Sequence, residues 1–232
     1  MVLAVIAALA ALMLPALAGA KGRGRRVQCL NNLRQLGLAA EVYLLDQAAS
    51  YPPAQYLDLV TGRAYAWDLT VGYNAQHQVV VTPGILWEGL GSAQIQQCPA
   101  FAGSANYADN PYTGYNYNTS FLGHGQGEYI ETPAVAAEVR HPARTAIFGD
   151  GQYGAGADKF MRAPWPNPGD AGFVGRWGGT QGFRHQGRSN TAFCDGHAEP
   201  LDAVFTDNAD GAANVARGTG FLSADNSLYQ LD

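Results

Sequence analysis

Hydrophobic residues are spread unevenly along this chain. The first twenty positions, MVLAVIAALAALMLPALAGA, hold no charged side chain, and the basic stretch KGRGRR follows directly. Wound as a helix, twenty apolar residues cover roughly 30 Å, the hydrocarbon thickness of a bilayer. A helix that is apolar on every face needs lipid or protein around all of it, so this run predicts a membrane span or a helix buried among neighbours. The rival expectation is a secretory signal peptide cut after Ala18-Gly19-Ala20, although no basic residue precedes the run. From Val27 the pattern changes: Val27, Leu30, Leu33, Leu36, Ala40 and Leu44 recur every three or four residues, an apolar stripe on a polar helix. Tyr51-Pro52-Pro53 stops it. The pattern therefore predicts one helix over residues 1–49, weakened at Pro15, Gly19, Gly22 and Gly24. Such a helix is too long for one small domain, so its first half protrudes. Residues 1–26 form the span or filament-core half, and 27–232 form a globular head that includes the amphipathic half.

Beyond Pro53 the apolar runs are short and bounded by Gly, Pro, Asn and Asp. Segments 78–82 (QVVVT), 145–148 (TAIF), 191–194 (TAFC) and 197–201 (HAEPL) read as strands. The Gly/Tyr/Asn-rich tracts 105–127 and 152–182 read as irregular loops, partly ordered by Trp165, Phe173 and Trp177. The fold class expected is α+β: a long N-terminal α-helix packed on an antiparallel β-sheet head with long irregular loops.

Composition narrows the function. Only 14% of the 232 residues are charged and the formal net charge is −5, so no nucleic-acid partner is expected. No Gly-x-Ser-x-Gly, Walker A or dinucleotide-binding pattern occurs, which leaves no recognisable enzyme motif. Cys29, Cys98 and Cys194 have no Cys-x-x-Cys spacing, so a zinc-knuckle or thioredoxin-like motif is unsupported. In an exported chain one pair could be oxidised; three small buried thiols are the equal alternative.

The stretch MLPALAGAKGRGRRVQCLNNLRQLGLAAEVYLLD, followed by YPP, resembles the N-terminal region of type IV pilin-like proteins (pseudopilins). Further similarity lies at Cys98-Pro99, at Tyr115-Asn116-Tyr117-Asn118 and at HPARTAIFGDG (141–151). From His185, nine residues lead to Asp195-Gly196, the His-x9-Asp-Gly signature of prepilin-type proteins. Family precursors carry a basic leader ending in Gly and a Glu soon after the cut. Residue 5 here is Val5, so the register of Leu14-Pro15-Ala16-Leu17 implies a chain that begins inside the usual mature start.

The resemblance implies a structural subunit of an extracellular type IV pilus-like filament, not an enzyme. Its filament-core helix would include Leu3, Ile6, Leu9, Leu12, Pro15 and Leu17. The partners implied are copies of itself in a helical homopolymer, the pilus or secretion assembly machinery, and the inner membrane before assembly at the cell surface. No cofactor is required. Cys29 and Cys98 are the candidate disulfide. A minor pseudopilin of a type II secretion-like system is the second reading, with Tyr- and Trp-rich loops touching exported cargo.

The tail FRHQGRSNTAFCDGHAEPL carries the remaining chemistry. Asp195-Gly196 is expected to form a two-residue type I′ turn that sets Cys194 opposite His197. His185 is expected to fold back and bond Asp195 or a backbone carbonyl, locking that turn. The rival is a membrane-anchored metal-dependent hydrolase using His185, Asp195 and His197, with Asp150 as a further ligand. Asp207, Asp210 and Asp225 offer oxygen ligands of the kind calcium accepts, against the plainer reading of a polar loop with Asx turns. Asn118-Thr119-Ser120 is a glycosylation-type sequon.

Overall fold

The computed structural model describes residues 2–87, 97–104, 114–124 and 130–232, and the backbone alone for 4–10. Helix α1 runs Val2–Asp46. It stops short of the expected boundary because Ala48 and Ala49 turn left-handed (φ 50° and 62°). The Ala49 amide then donates back to the Leu44 carbonyl at 2.8 Å and closes the helix ahead of the prolines.

Two halves of α1 meet different surroundings. Leu12, Met13, Leu14 and Leu17 are largely exposed, whereas Cys29, Leu33 and Leu36 are fully buried. The helix leaves the head near residue 26. At about 1.5 Å of rise per residue, the free half is about 36 Å long. Ile6 and Leu9 lie outside the described side chains. Among the described residues no helix is long and apolar enough to cross a membrane.

After the helix comes an antiparallel meander: β1 (Gln55–Asp58), β2 (Arg63–Ala66), β3 (Leu69–Tyr73) and β4 (Val79–Pro83). The remaining strands are β5 (Asn116–Asn118), β6 (Ala146–Gly149), β7 (Phe160–Met161), β8 (Gln181–Gly182), β9 (Ser189–Phe193), β10 (Ala198–Leu201) and β11 (Thr219–Gly220). A five-stranded sheet has the order β10-β9-β6-β5-β7, antiparallel except for the β5–β7 pair. β8 and β11 pair separately.

The second half of α1 packs on β9, β10 and β6. Between them lies a core of Cys29, Leu33, Leu36, Ala40, Phe148, Ala192 and their neighbours. On the opposite face Phe121, Met161, Phe193, Leu222 and Tyr229 form a second core. Ala192 and Phe193 thus serve different cores, as strand alternation requires. Trp67 docks the meander onto the main sheet. Its indole donates to the Lys159 carbonyl at 3.0 Å, and its ring lies 5.3 Å from Phe148 and 5.9 Å from Tyr117.

The α+β class and the strands at 78–82, 145–148, 191–194 and 197–201 appear within about two residues of expectation, while three of the meander strands were not expected at all. β1 and β2 are short and partly exposed, and the first four residues of β3 are all buried, so none shows a period of two. β5 lies in a tract expected to be irregular. Its asparagines can be buried because their amides are bonded. Asn118 Nδ2 donates to the Ala146 carbonyl at 2.9 Å and to the Tyr229 carbonyl at 2.8 Å. Asn118 and the two following residues are all fully buried, so the sequon is not on the surface.

Leu36 and Leu38 separate the two faces of the helix, the first buried and the second exposed. Leu36→Ala should cost about 2–5 kcal/mol of head stability in chemical denaturation. Leu38→Ala, on the exposed face, should change it by about 0.5 kcal/mol or less.

Candidate functional site

The β9–β10 hairpin differs from the expected two-residue turn. Phe193, not Cys194, stands opposite His197: its amide donates to the His197 carbonyl at 2.9 Å, and the two rings stack at 4.5 Å. The loop holds three residues, with the Gly196 amide bonding the Phe193 carbonyl at 3.0 Å and Gly196 at φ 86°. Asp195 keeps a negative φ, so one left-handed glycine does the work that type I′ assigns to two residues. Cys194 is turned inward, and its amide donates to the Thr145 carbonyl at 3.0 Å. Asp195 bonds the ring and the amide of His197 on the partly exposed turn, which holds its carboxyl below the usual value.

His185 is elsewhere. Its Nε2 lies 3.4 Å from Asp150 Oδ2 and 3.5 Å from Cys98 Sγ, and no hydrogen bond joins it to Asp195. Neither the expected lock nor the His185/Asp195/His197 ligand set is formed. The residues gathered instead are Cys29, Cys98, Asp150 and His185, all buried, with one ligand atom from each within 4.8 Å of the others.

Each arrives on a different segment. Cys29 projects from α1 on the same stripe as Leu33 and Leu36, and its thiol donates to Asp150 Oδ1 at 3.1 Å. Cys98 follows the undescribed stretch 88–96, with its sulfur 4.0 Å from Cys29 Sγ as a free thiol. The two members of the candidate disulfide are therefore neighbours without a bond. Asp150 directly follows β6, and its Oδ2 accepts the Asn190 amide at 2.7 Å. His185 is placed by the turn before β9, where its amide bonds the Arg188 carbonyl at 3.1 Å and Gln186 and Gly187 both take positive φ. Arg184 completes the group, with Nη2 3.1 Å from Asp150 Oδ1 and Nε 3.3 Å from Cys98 Sγ.

The charges are mutually dependent. Burial raises Asp150, but Arg184, His185 and the Asn190 amide outweigh it and hold the carboxyl below its ordinary value. Burial also raises the Cys98 thiol, yet hydrogen bonds with Cys29 and His185 and the Arg184 cation bring it down to about 5. His185, lowered by burial, is raised to about 9 by Asp150 and Cys98. Cys29 is pushed up by burial, by Cys98 and by Asp150. A thiolate beside an imidazolium is a nucleophile's arrangement. Cys98 and His185, however, are only 1% and 2% exposed. The sequence offered Asp150 as a further ligand beside His185, but nothing in the spacing linked Cys29 or Cys98 to them.

The calcium candidates are not gathered into a ligand group. Asp210 accepts the Gly175 and Arg176 amides at 2.9 and 2.6 Å, and Asp225 closes a turn on the Ser227 amide at 3.0 Å. Asp207 is exposed.

A separate cleft of about 850 Å³ opens between the meander and the 153–179 loops, lined by Tyr56, Tyr65, Asp158, Phe160, Arg162 and Trp177 among others. Tyr153 packs on Trp177 at 5.2 Å, and the Arg162 guanidinium sits 4.3 Å over the Phe173 ring.

No family model, no curated protein and no solved structure matches this chain.

The cleft carboxylate gives a pH test. Burial pushes Asp158 up to about 7, with the Phe160 amide (2.9 Å) and the Arg162 and Lys159 cations opposing. The folded state then binds this proton more tightly than the unfolded chain, whose value is near 3.8. Its contribution to stability is full below that value and declines as pH rises through 7. Asp158→Asn should accordingly melt above the parent by a margin that is small at about pH 5 and grows to a few degrees at about pH 8, read by thermal denaturation.

Proposed function

We propose that this chain is a structural subunit of an extracellular type IV pilus-like filament, assembled through its N-terminal helix. The observation that carries the reading is the division of α1: a buried half fused to the head and an apolar half with Leu3, Leu12, Leu14 and Leu17 exposed. Large apolar side chains along about 36 Å of helix are not left to water. Lipid before assembly and identical helices afterwards both satisfy them, so a subunit can pass between the two without exposing the stripe. Ala7, Ala8, Ala10, Ala11, Ala18 and Gly19 let such helices approach closely. The blocks of sequence that resemble pilin-like proteins support the same role. The partners are other copies of the chain, the assembly machinery and the inner membrane, and no catalysis is required.

The aromatic cleft favours a second reading, a minor pseudopilin of a type II secretion-like system that holds cargo at this face. Abundance separates the two: a major subunit dominates sheared surface material.

Electron microscopy and mass spectrometry of the sheared surface fraction of the native cell should find filaments whose main band is this chain with its apolar helix retained. Leu12 and Leu17 are both exposed in the subunit. Leu12→Arg or Leu17→Arg should therefore abolish filaments while the stability of the head stays within about 0.5 kcal/mol of the parent. A soluble monomer beginning at Lys21 would overturn the filament reading.

A further inference from the structure

We propose that Cys29, Cys98, Asp150 and His185 form a closed, structural binding site for one tetrahedral divalent metal ion of the zinc class, which staples α1 to the head. The inference is independent of the filament reading.

Geometry carries it first. Zinc bonds thiolate sulfur at about 2.3 Å and imidazole nitrogen or carboxylate oxygen at about 2.0–2.2 Å, so tetrahedral ligand atoms stand roughly 3.3–3.8 Å apart. Neighbouring contacts in the cluster lie near that range: 3.1 Å from Cys29 Sγ to Asp150 Oδ1, 3.4 Å from the other Asp150 oxygen to His185 Nε2, 3.5 Å from His185 Nε2 to Cys98 Sγ, and 4.0 Å between the sulfurs, while one ligand atom from each residue lies within 4.8 Å of the others. A disulfide needs sulfurs about 2.05 Å apart, and closing that gap would draw both away from the imidazole and carboxylate they now touch.

Donor chemistry agrees. Two thiolates, one imidazole and one carboxylate are a borderline-soft set that suits zinc and disfavours calcium or magnesium, which take oxygen. None of the four residues is more than 2% exposed. Four protein ligands sealed from solvent leave no open position for substrate or water, so the site is structural.

The electrostatics point the same way. On metal binding both thiols give up their protons and the imidazole is neutral, so the four ligands carry three negative charges in a dry pocket, against one positive charge from Arg184. A dication brings the group to neutrality with Arg184 included. That guanidinium already bonds both Asp150 and Cys98 Sγ, as partners behind metal ligands do. The side chains of Asn190 and Tyr115 lie against Cys29. Both can donate to a metal-bound thiolate.

The test uses the full chain, purified in detergent after expression in zinc-supplemented medium. Elemental analysis and native mass spectrometry should find about one zinc per chain, with Cys29 and Cys98 recovered as unlinked thiols once the metal is stripped. Cobalt(II) added to the stripped protein should give the intense visible absorption of a tetrahedral site, together with a thiolate-to-metal charge-transfer band. His185→Ala and Cys98→Ala should lose stoichiometric zinc, and Arg184→Lys should weaken zinc binding roughly 10–100-fold. Because those variants can misfold, the parent protein decides alone. A Cys29–Cys98 cross-linked peptide in metal-free protein would overturn the site, as would cobalt uptake without a charge-transfer band. Full zinc retention by a folded His185→Ala chain would overturn the four-ligand assignment.

Discussion

Asp150 is a carboxylate with no exposed surface. The segments around it converge because an ion removed from water must be answered from within the protein. Arg184 supplies the countercharge, the Asn190 amide and the Cys29 thiol donate to its oxygens, and His185 closes the remaining side. Those groups come from α1, from the turn ahead of β9 and from β9 itself. The same contacts fix where the helix crosses the sheet, so the hydrophobic packing of Leu33 and Leu36 and the polar cluster at Cys29 register one another. Apolar contacts alone would tolerate a helix sliding along its axis; a buried charge with directional partners does not.

That anchoring matters because α1 serves two environments. Its second half behaves as an ordinary amphipathic helix on a sheet, and the large apolar side chains described in its first half are exposed. Any load applied to the free half reaches the head through the Cys29 end of the buried half. The polar cluster sits there rather than farther along at Ala39 and Ala40, where small side chains lie against the sheet.

Legibility in the sequence followed periodicity. The helix and its stop, the α+β class and the isolated apolar strands could be read because a 3.6-residue stripe or a bounded apolar run is a local signal. The meander escaped because β3 is buried on consecutive residues and its neighbours are short. β5 escaped because buried Asn116 and Asn118 look like loop residues until their distant partners at Thr180, Ala146 and Tyr229 are known. The candidate site was half legible. His185 and Cys98 stood out as individual residues, and Asp150 was named as an extra ligand. Grouping His185 with Asp195 and His197 followed nearness in sequence, and the turn at Gln186-Gly187 sends the ring the other way. The left-handed glycine at position 196 was recognisable, but whether its loop held two residues or three depended on the β9–β10 register, a pairing no local pattern encodes.

The second core has a consequence for the order in which this protein can be made. Asn118 satisfies its amide partly on the Tyr229 carbonyl, 111 residues downstream, and the Ala146 amide bonds the Leu228 carbonyl at 2.8 Å. Tyr229 is itself fully buried, with its hydroxyl accepting the Leu222 amide at 2.7 Å. A chain emerging N-terminus first therefore carries β5 and β6 with open hydrogen-bonding groups until those late residues follow. The α1 side of the sheet can be covered as soon as β9 and β10 are out, while the far side waits. During synthesis the head is a one-sided sheet, and the last layer to close is the one that the tail segment brings.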